Sequence, residues 1–147
     1  IDSRINGPIV DENYMTTVPG IFACGNGLHV HDLADFVTKQ SSEAALGAIR
    51  YLNKGNNNEY IDVNAGDLVG YVVPARLHTS DLPKVITFYF RVRKPMKDIA
   101  IQIFKGEVLL REIKKEAVLP SEMEQVVLSG NMLMENPGDI VIKVKEN

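Results

Sequence analysis

The hydrophobic period changes once along this 147-residue chain, and that change limits the fold more than any other feature. Up to Leu52, apolar or small residues recur at helical spacing: Leu33, Phe36, Val37, Ala44, Ala45, Ala48, Ile49 and Leu52. From Tyr60 onward the alternation is two-residue, the period of half-buried strands. Between the two lies Lys54-Gly55-Asn56-Asn57-Asn58-Glu59, polar and rich in turn formers, which reads as a linker. The expectation is an α+β chain, with a partial α/β unit of short strands and one helix at 1–55 and an all-β unit at 60–147.

In the first unit the spacing predicts a helix over 32–52, with Asp32 as N-cap and Gly55 as the stop. Lys54 suits the negative end of the dipole. Ser41, Ala44, Gly47 and Ala48 are small enough to bring the helix axis close to whatever it covers. Unpaired backbone N–H groups at the start of such a helix favour negative charge.

In the second unit the clearest strand is 84–93, with Ile86, Phe88, Phe90 and Val92 on one face and Thr87, Tyr89, Arg91 and Arg93 on the other. Further strands are expected at 68–73, 98–104, 108–113, 125–128 and 139–144. Lys105-Gly106 and Asn136-Pro137-Gly138-Asp139 are turn signals. Six or seven short antiparallel strands with no helical stretch predict a β-sandwich of immunoglobulin or fibronectin type III kind. The chain has no Trp and one Cys, so the disulfide-bearing immunoglobulin subtype is excluded. Each buried apolar side chain contributes roughly 1.5–3 kcal/mol, and about a dozen inward residues suffice for a self-supporting module.

Residues 16–26, Thr-Thr-Val-Pro-Gly-Ile-Phe-Ala-Cys-Gly-Asn, link these expectations to chemistry. Val18-Pro19-Gly20 is a turn, since Pro fixes φ and Gly tolerates a positive one. Ile21–Cys24 is wholly apolar, as in a strand covered on both faces. Gly25-Asn26-Gly27 ends it with residues that allow close backbone approach. In open α/β sheets the crevice beyond the carboxyl end of such a strand is where ligands bind. Upstream, Asn6-Gly7-Pro8 is a turn, Ile9-Val10 a short apolar pair, and Tyr14 and Met15 are expected to pack inward.

The stretch resembles the second flavin-binding motif of the thioredoxin-reductase-like (pyridine nucleotide-disulfide oxidoreductase) flavoproteins, T-x-x-P-G-[IV]-[FY]-A-x-G-D. Thr16, Pro19, Gly20, Ile21, Phe22, Ala23 and Gly25 match it; Asn26 stands where the family has Asp. The run from Gly25 to Leu33 is similar to a branch with a G-N-x-x-H-V-H-D-L loop over the flavin edge. The resemblance implies the C-terminal part of an FAD-dependent, NAD(P)-linked oxidoreductase that moves hydride through flavin. It implies FAD contacts at Gly25 and Asn26, and helix amides at Asp35, Phe36 and Val37 facing the pyrimidine edge of the ring. Asn26 keeps an acceptor for a ribityl hydroxyl but loses the charge, lowering the bond from roughly 1.5–3 to 0.5–1.5 kcal/mol. No G-x-G-x-x-G occurs in the chain to hold the FAD pyrophosphate. The missing N-terminal part of the same enzyme is therefore an expected partner, and these residues alone are expected neither to hold FAD nor to be active. No catalytic residue can be assigned.

His29-Val30-His31-Asp32 offers two imidazoles and a carboxylate, but zinc takes three or four ligands and no Cys or further His lies near in sequence. No metal is expected there; the histidines are expected to hydrogen-bond within their loop or approach the flavin. Cys24, alone in an apolar run, has no redox partner, which accords with a cytoplasmic setting. A net charge of −3 gives no footprint for nucleic acid, and no apolar run reaches the ~20 residues of a membrane span. A second expectation makes the β unit a non-catalytic docking module for a partner subunit or homo-oligomer, through an exposed row of Val85, Tyr89 and Arg91.

Overall fold

The computed structural model describes residues 1–147 and is mixed α+β, mostly strands in two sheets, with one long helix. Helix α1 spans Ala34–Lys54. Eight strands follow: β1 (Tyr60–Ala65), β2 (Val69–Val73), β3 (Arg76–His78), β4 (Val85–Val92), β5 (Met96–Lys105), β6 (Val108–Val118), β7 (Glu124–Ser129) and β8 (Ile140–Glu146). A short helix α2, Gly130–Met134, lies between β7 and β8.

The strands form a five-stranded sheet in the order β3-β1-β8-β5-β6 and a three-stranded sheet in the order β2-β4-β7. Ile86, Phe88, Phe90 and Val92 of β4 and Val126 and Leu128 of β7 meet Ile99, Ile101, Ile103, Ile140, Ile142 and Val144 in one core. Alternation therefore identified the inward faces correctly: a period of two puts every second side chain on the covered side.

Two features of this unit depart from expectation. The strands are not all antiparallel, since β1 runs parallel to β8, with Val63 opposite Ile140. The unit also contains a helix, α2, which carries Leu133 into the core while Met132 and Met134 stay exposed. Strands β1 and β3 were not anticipated as elements; β3 has only three residues, too few for a period to register.

The N-terminal segment lies on the outer face of the three-stranded sheet. Val10, Tyr14, Leu28 and Ala44 pack with Tyr71 and Val73 of β2 as a second apolar cluster. Tyr14 and Met15 are buried, as expected. The Ile21–Cys24 run is not a strand covered on both faces: only Phe22 pairs, through an isolated bridge to Met15, and Ile21 is exposed. No further strand lies beside it; the Phe22 ring rests edge-on against Tyr51 of α1 instead.

Helix α1 ends as expected. Gly55 takes φ +72° and its N–H bonds to Tyr51 O. Its start and its buried face differ from expectation. Leu33, in extended conformation, occupies the N-cap position, and no side chain caps the first turn. The helix buries Gln40, Ala44 and Gly47, while Leu33, Leu46, Ile49 and Leu52 are exposed. Backbone approach selects that face: a Cβ at Gly47 would lie 2.1 Å from Asn13 O, so only glycine fits where the helix meets Asn13.

Candidate functional site

The predicted flavin-facing residues gather where a short 3-10 turn, Gly25–Gly27, leads into α1. Gly25 has φ +63°, and its N–H donates to Gln40 Oε1 at 2.8 Å. The exposed Asn26 accepts the His31 N–H on Oδ1 at 3.1 Å, closing the loop beneath it. At the helix start the Phe36 N–H bonds to Leu33 O; Asp35 is exposed, and Phe36 and Val37 are half-buried.

Gln40 organises this junction. Its Oε1 accepts from Gly25 and lies 3.0 Å from His31 Nε2, so that nitrogen carries the proton. Its Nε2 lies 3.0 Å from His29 Nε2, which must then be the acceptor. The His29 proton therefore sits on Nδ1, facing Tyr71 Oη at 3.4 Å. Both histidines also stack edge-on against Tyr89 of β4. Burial, helped by the nearby His31 and Arg91, pulls His29 down to a pKa of about 3, so it stays neutral.

Asp32 is not the N-cap. Its Oδ1 takes Arg91 Nη2 at 2.6 Å and its Oδ2 takes the Met123 N–H at 2.6 Å. Burial opposes its ionisation, but the Met123 N–H and Arg91 outweigh that and hold the carboxyl below its usual range. The His29–Asp32 run thus makes no metal cluster; its groups point to Gln40 and Arg91. Tyr89 is fully buried and Arg91 is engaged by Asp32, Val30 O and Ser121 O, so of the proposed docking row only Val85 is free. Cys24 has no cysteine partner and lies 3.5 Å from Ser41 Oγ.

A second constellation was missed because its members are 66 residues apart in sequence. Asp11, Glu12 and His78 bring three ligand-type atoms within 4.8 Å of one another, all from buried residues. His78 Nδ1 lies 2.7 Å from Glu12 Oε1 and 3.9 Å from Asp11 Oδ2. Every remaining atom of the three is held. The His78 N–H donates to Glu12 Oε2, and the Asn13 and Met15 N–H groups donate to Asp11 Oδ1. Asn13 Nδ2 reaches Glu12 Oε1 at 3.3 Å. His78 Nε2 donates to Asn56 Oδ1 at 2.8 Å, an oxygen identified by the bond from Asn56 Nδ2 to Asn58 Oδ1.

Asp11 Oδ2 is buried with no hydrogen-bond partner. Burial, with the neighbouring Glu12 charge, pushes Asp11 up to a pKa of about 6. Burial opposes charge on His78, but the Glu12 hydrogen bond and charge and the Asp11 charge prevail and raise it. A cleft of about 130 Å³ opens beside the cluster, lined by Glu12, His78, Asn56, Arg50, Tyr51 and Asp81. The only early signal was the adjacent acidic pair Asp11-Glu12 within an apolar surround. No helix is long and apolar enough to cross a membrane. Comparison with family models, with curated proteins and with solved structures finds no match to this chain.

Proposed function

We propose that this chain is the C-terminal part of an FAD-dependent, NAD(P)-linked oxidoreductase of the thioredoxin-reductase-like kind, with the β unit as an appended sandwich of immunoglobulin or fibronectin type III character. The observation that carries the reading is the junction itself. Seven matched motif positions lead to an exposed Asn26, immediately before a 21-residue helix with no side-chain cap. Open backbone amides and a carboxamide suit the ribityl and pyrimidine edge of a flavin, where reduction builds negative charge. FAD would supply the hydride chemistry. Asn26 and the amides at Asp35 and Val37 would orient it, the Phe36 N–H being taken by Leu33 O, and Gln40 would keep the Gly25 turn in place.

The fit is partial, since the chain has no loop for the pyrophosphate. Exposed Val18, Ile21, Leu46, Ile49 and Leu52 support the same reading, as apolar side chains that further protein of the intact enzyme would cover. The β unit then acts as a buttress: Tyr71, Val73 and Tyr89 hold the flavin-facing loop from behind. The test is to express the chain together with the coding sequence preceding it and record the visible spectrum. Oxidised-flavin bands that bleach on adding NADH or NADPH are expected; a colourless protein that takes up no FAD overturns the reading. The 147-residue chain alone is expected not to retain FAD.

A further inference from the structure

The geometry points to a divalent metal site formed by Asp11, Glu12 and His78, separate from the flavin-facing junction and independent of its assignment. Three atoms, Asp11 Oδ2, Glu12 Oε1 and His78 Nδ1, converge within 4.8 Å of one another. Their other polar atoms are tied back by backbone N–H groups and by Asn56, the arrangement that orients metal ligands from outside. Because Asn56 Oδ1 takes the proton on His78 Nε2, the lone pair that a metal needs belongs to Nδ1, on the side of the carboxylates.

A second observation is independent of that convergence. Asp11 is fully buried, yet its Oδ2 has no hydrogen-bond partner and faces His78 Nδ1 at 3.9 Å. A buried acceptor left bare is costly, and two buried carboxylates beside one imidazolium leave a negative charge without a counterion. Arg76 forms no ion pair with either carboxylate; it bonds to Thr16 O and lies over the Tyr60 ring at 3.9 Å. A dication bound to two carboxylates and a neutral imidazole makes the set electrically neutral. On binding, the proton on His78 Nδ1 leaves to solvent as the metal takes that lone pair.

One nitrogen and two carboxylate oxygens suit a borderline ion such as Zn²⁺ better than Ca²⁺ or Mg²⁺, which prefer all-oxygen shells. Three protein ligands leave coordination positions for water or a small anionic ligand, and Glu12 and His78 also line a cleft of about 130 Å³.

The test uses the whole chain, stripped with chelator, dialysed, and titrated with ZnCl₂ by calorimetry, with Co²⁺ as an absorbance probe. One Zn²⁺ per chain and a raised melting temperature are expected, with visible Co²⁺ bands of a low-coordinate site. Asn56→Ala should weaken binding by roughly 10–100-fold, the cost of losing an outer partner, and Asp11→Asn by more than that. Asp11→Asn keeps an oxygen for the Asn13 and Met15 N–H groups, so it should fold. His31→Ala should bind Zn²⁺ as the parent does. No uptake by the parent, or uptake that Asp11→Asn leaves unchanged, overturns the site; loss in His31→Ala with retention in Asp11→Asn would move it to the other histidine pair.

Discussion

Arg91 Nη2 sits 2.6 Å from Asp32 Oδ1, and this pair fastens the loop before α1 to strand β4. Sequence periodicity assigned Asp32 to the helix and Arg91 to a solvent-facing row, and each assignment was reasonable locally. In the fold, the aspartate instead accepts two hydrogen bonds, one from Arg91 and one from the Met123 N–H. Both partners are less than a third exposed. Asp32→Ala should therefore cost about 1.5–3 kcal/mol in urea denaturation, within the range for bonds to a charged acceptor. A cost near zero would show that the loop is held without them.

Gln40 is the counterpart deeper in the junction. Gln40→Leu removes the partner of the Gly25 N–H and of both imidazoles. Stranding a buried polar group costs about 1–3 kcal/mol, so the variant should lose at least one such increment. Proton NMR should show the His29 and His31 ring protons exchanging faster with solvent.

The histidines give the acid limb of stability a testable shape. His29 falls from 6.5 to about 3 on folding, so the unfolded chain binds the proton that the folded chain refuses. Its contribution is present above 6.5 and is lost as pH drops towards 3, with a slope approaching about 1.4 kcal/mol per pH unit. Asp11 acts in the opposite sense: raised from 3.8 to about 6, it takes up a proton in the folded state first and favours folding as pH falls through that window. His78, raised above its ordinary value, stabilises below 6.5 and loses that effect as pH rises through its folded-state value. His29→Gln should accordingly flatten the acid limb between 6.5 and 3, read by urea midpoints across that range. An unchanged limb would mean His29 is solvated.

Gly47 tests how close α1 lies to the N-terminal segment. In an open helix Gly→Ala stabilises by up to about 1 kcal/mol. Here the added Cβ would meet Asn13 O at 2.1 Å, backbone that cannot swing aside. Gly47→Ala should destabilise by about 1–3 kcal/mol, as overpacking does. The sign alone decides it.

The outward face of α1 bears on the proposed parent enzyme. Ile49→Glu and Leu52→Glu replace side chains that are 53% and 80% exposed, and should move the stability of this chain by no more than about 0.5 kcal/mol. In the proposed parent enzyme the same changes should lower the melting temperature or the flavin content. Neutrality in both contexts would show that nothing covers this face.

Most of the β unit was legible in the residue order, because a strand with one covered face writes its burial as alternation. Ile140-Val141-Ile142-Lys143-Val144 states its own inward side. The stop of α1 was legible too, since Gly55 adopts the positive φ that few other residues accept. Three things were decided only in three dimensions. The covered face of α1 followed backbone contact at Gly47 rather than apolar content, leaving Leu46, Ile49 and Leu52 outside. Tyr89, on the polar side of its strand, became fully buried because the His29–His31 loop lies over it. Asp11, Glu12 and His78 met only when β3 was laid beside the N-terminal turn. Periodicity records the environment of one element at a time, whereas these contacts depend on which elements meet, and that is fixed by long-range packing.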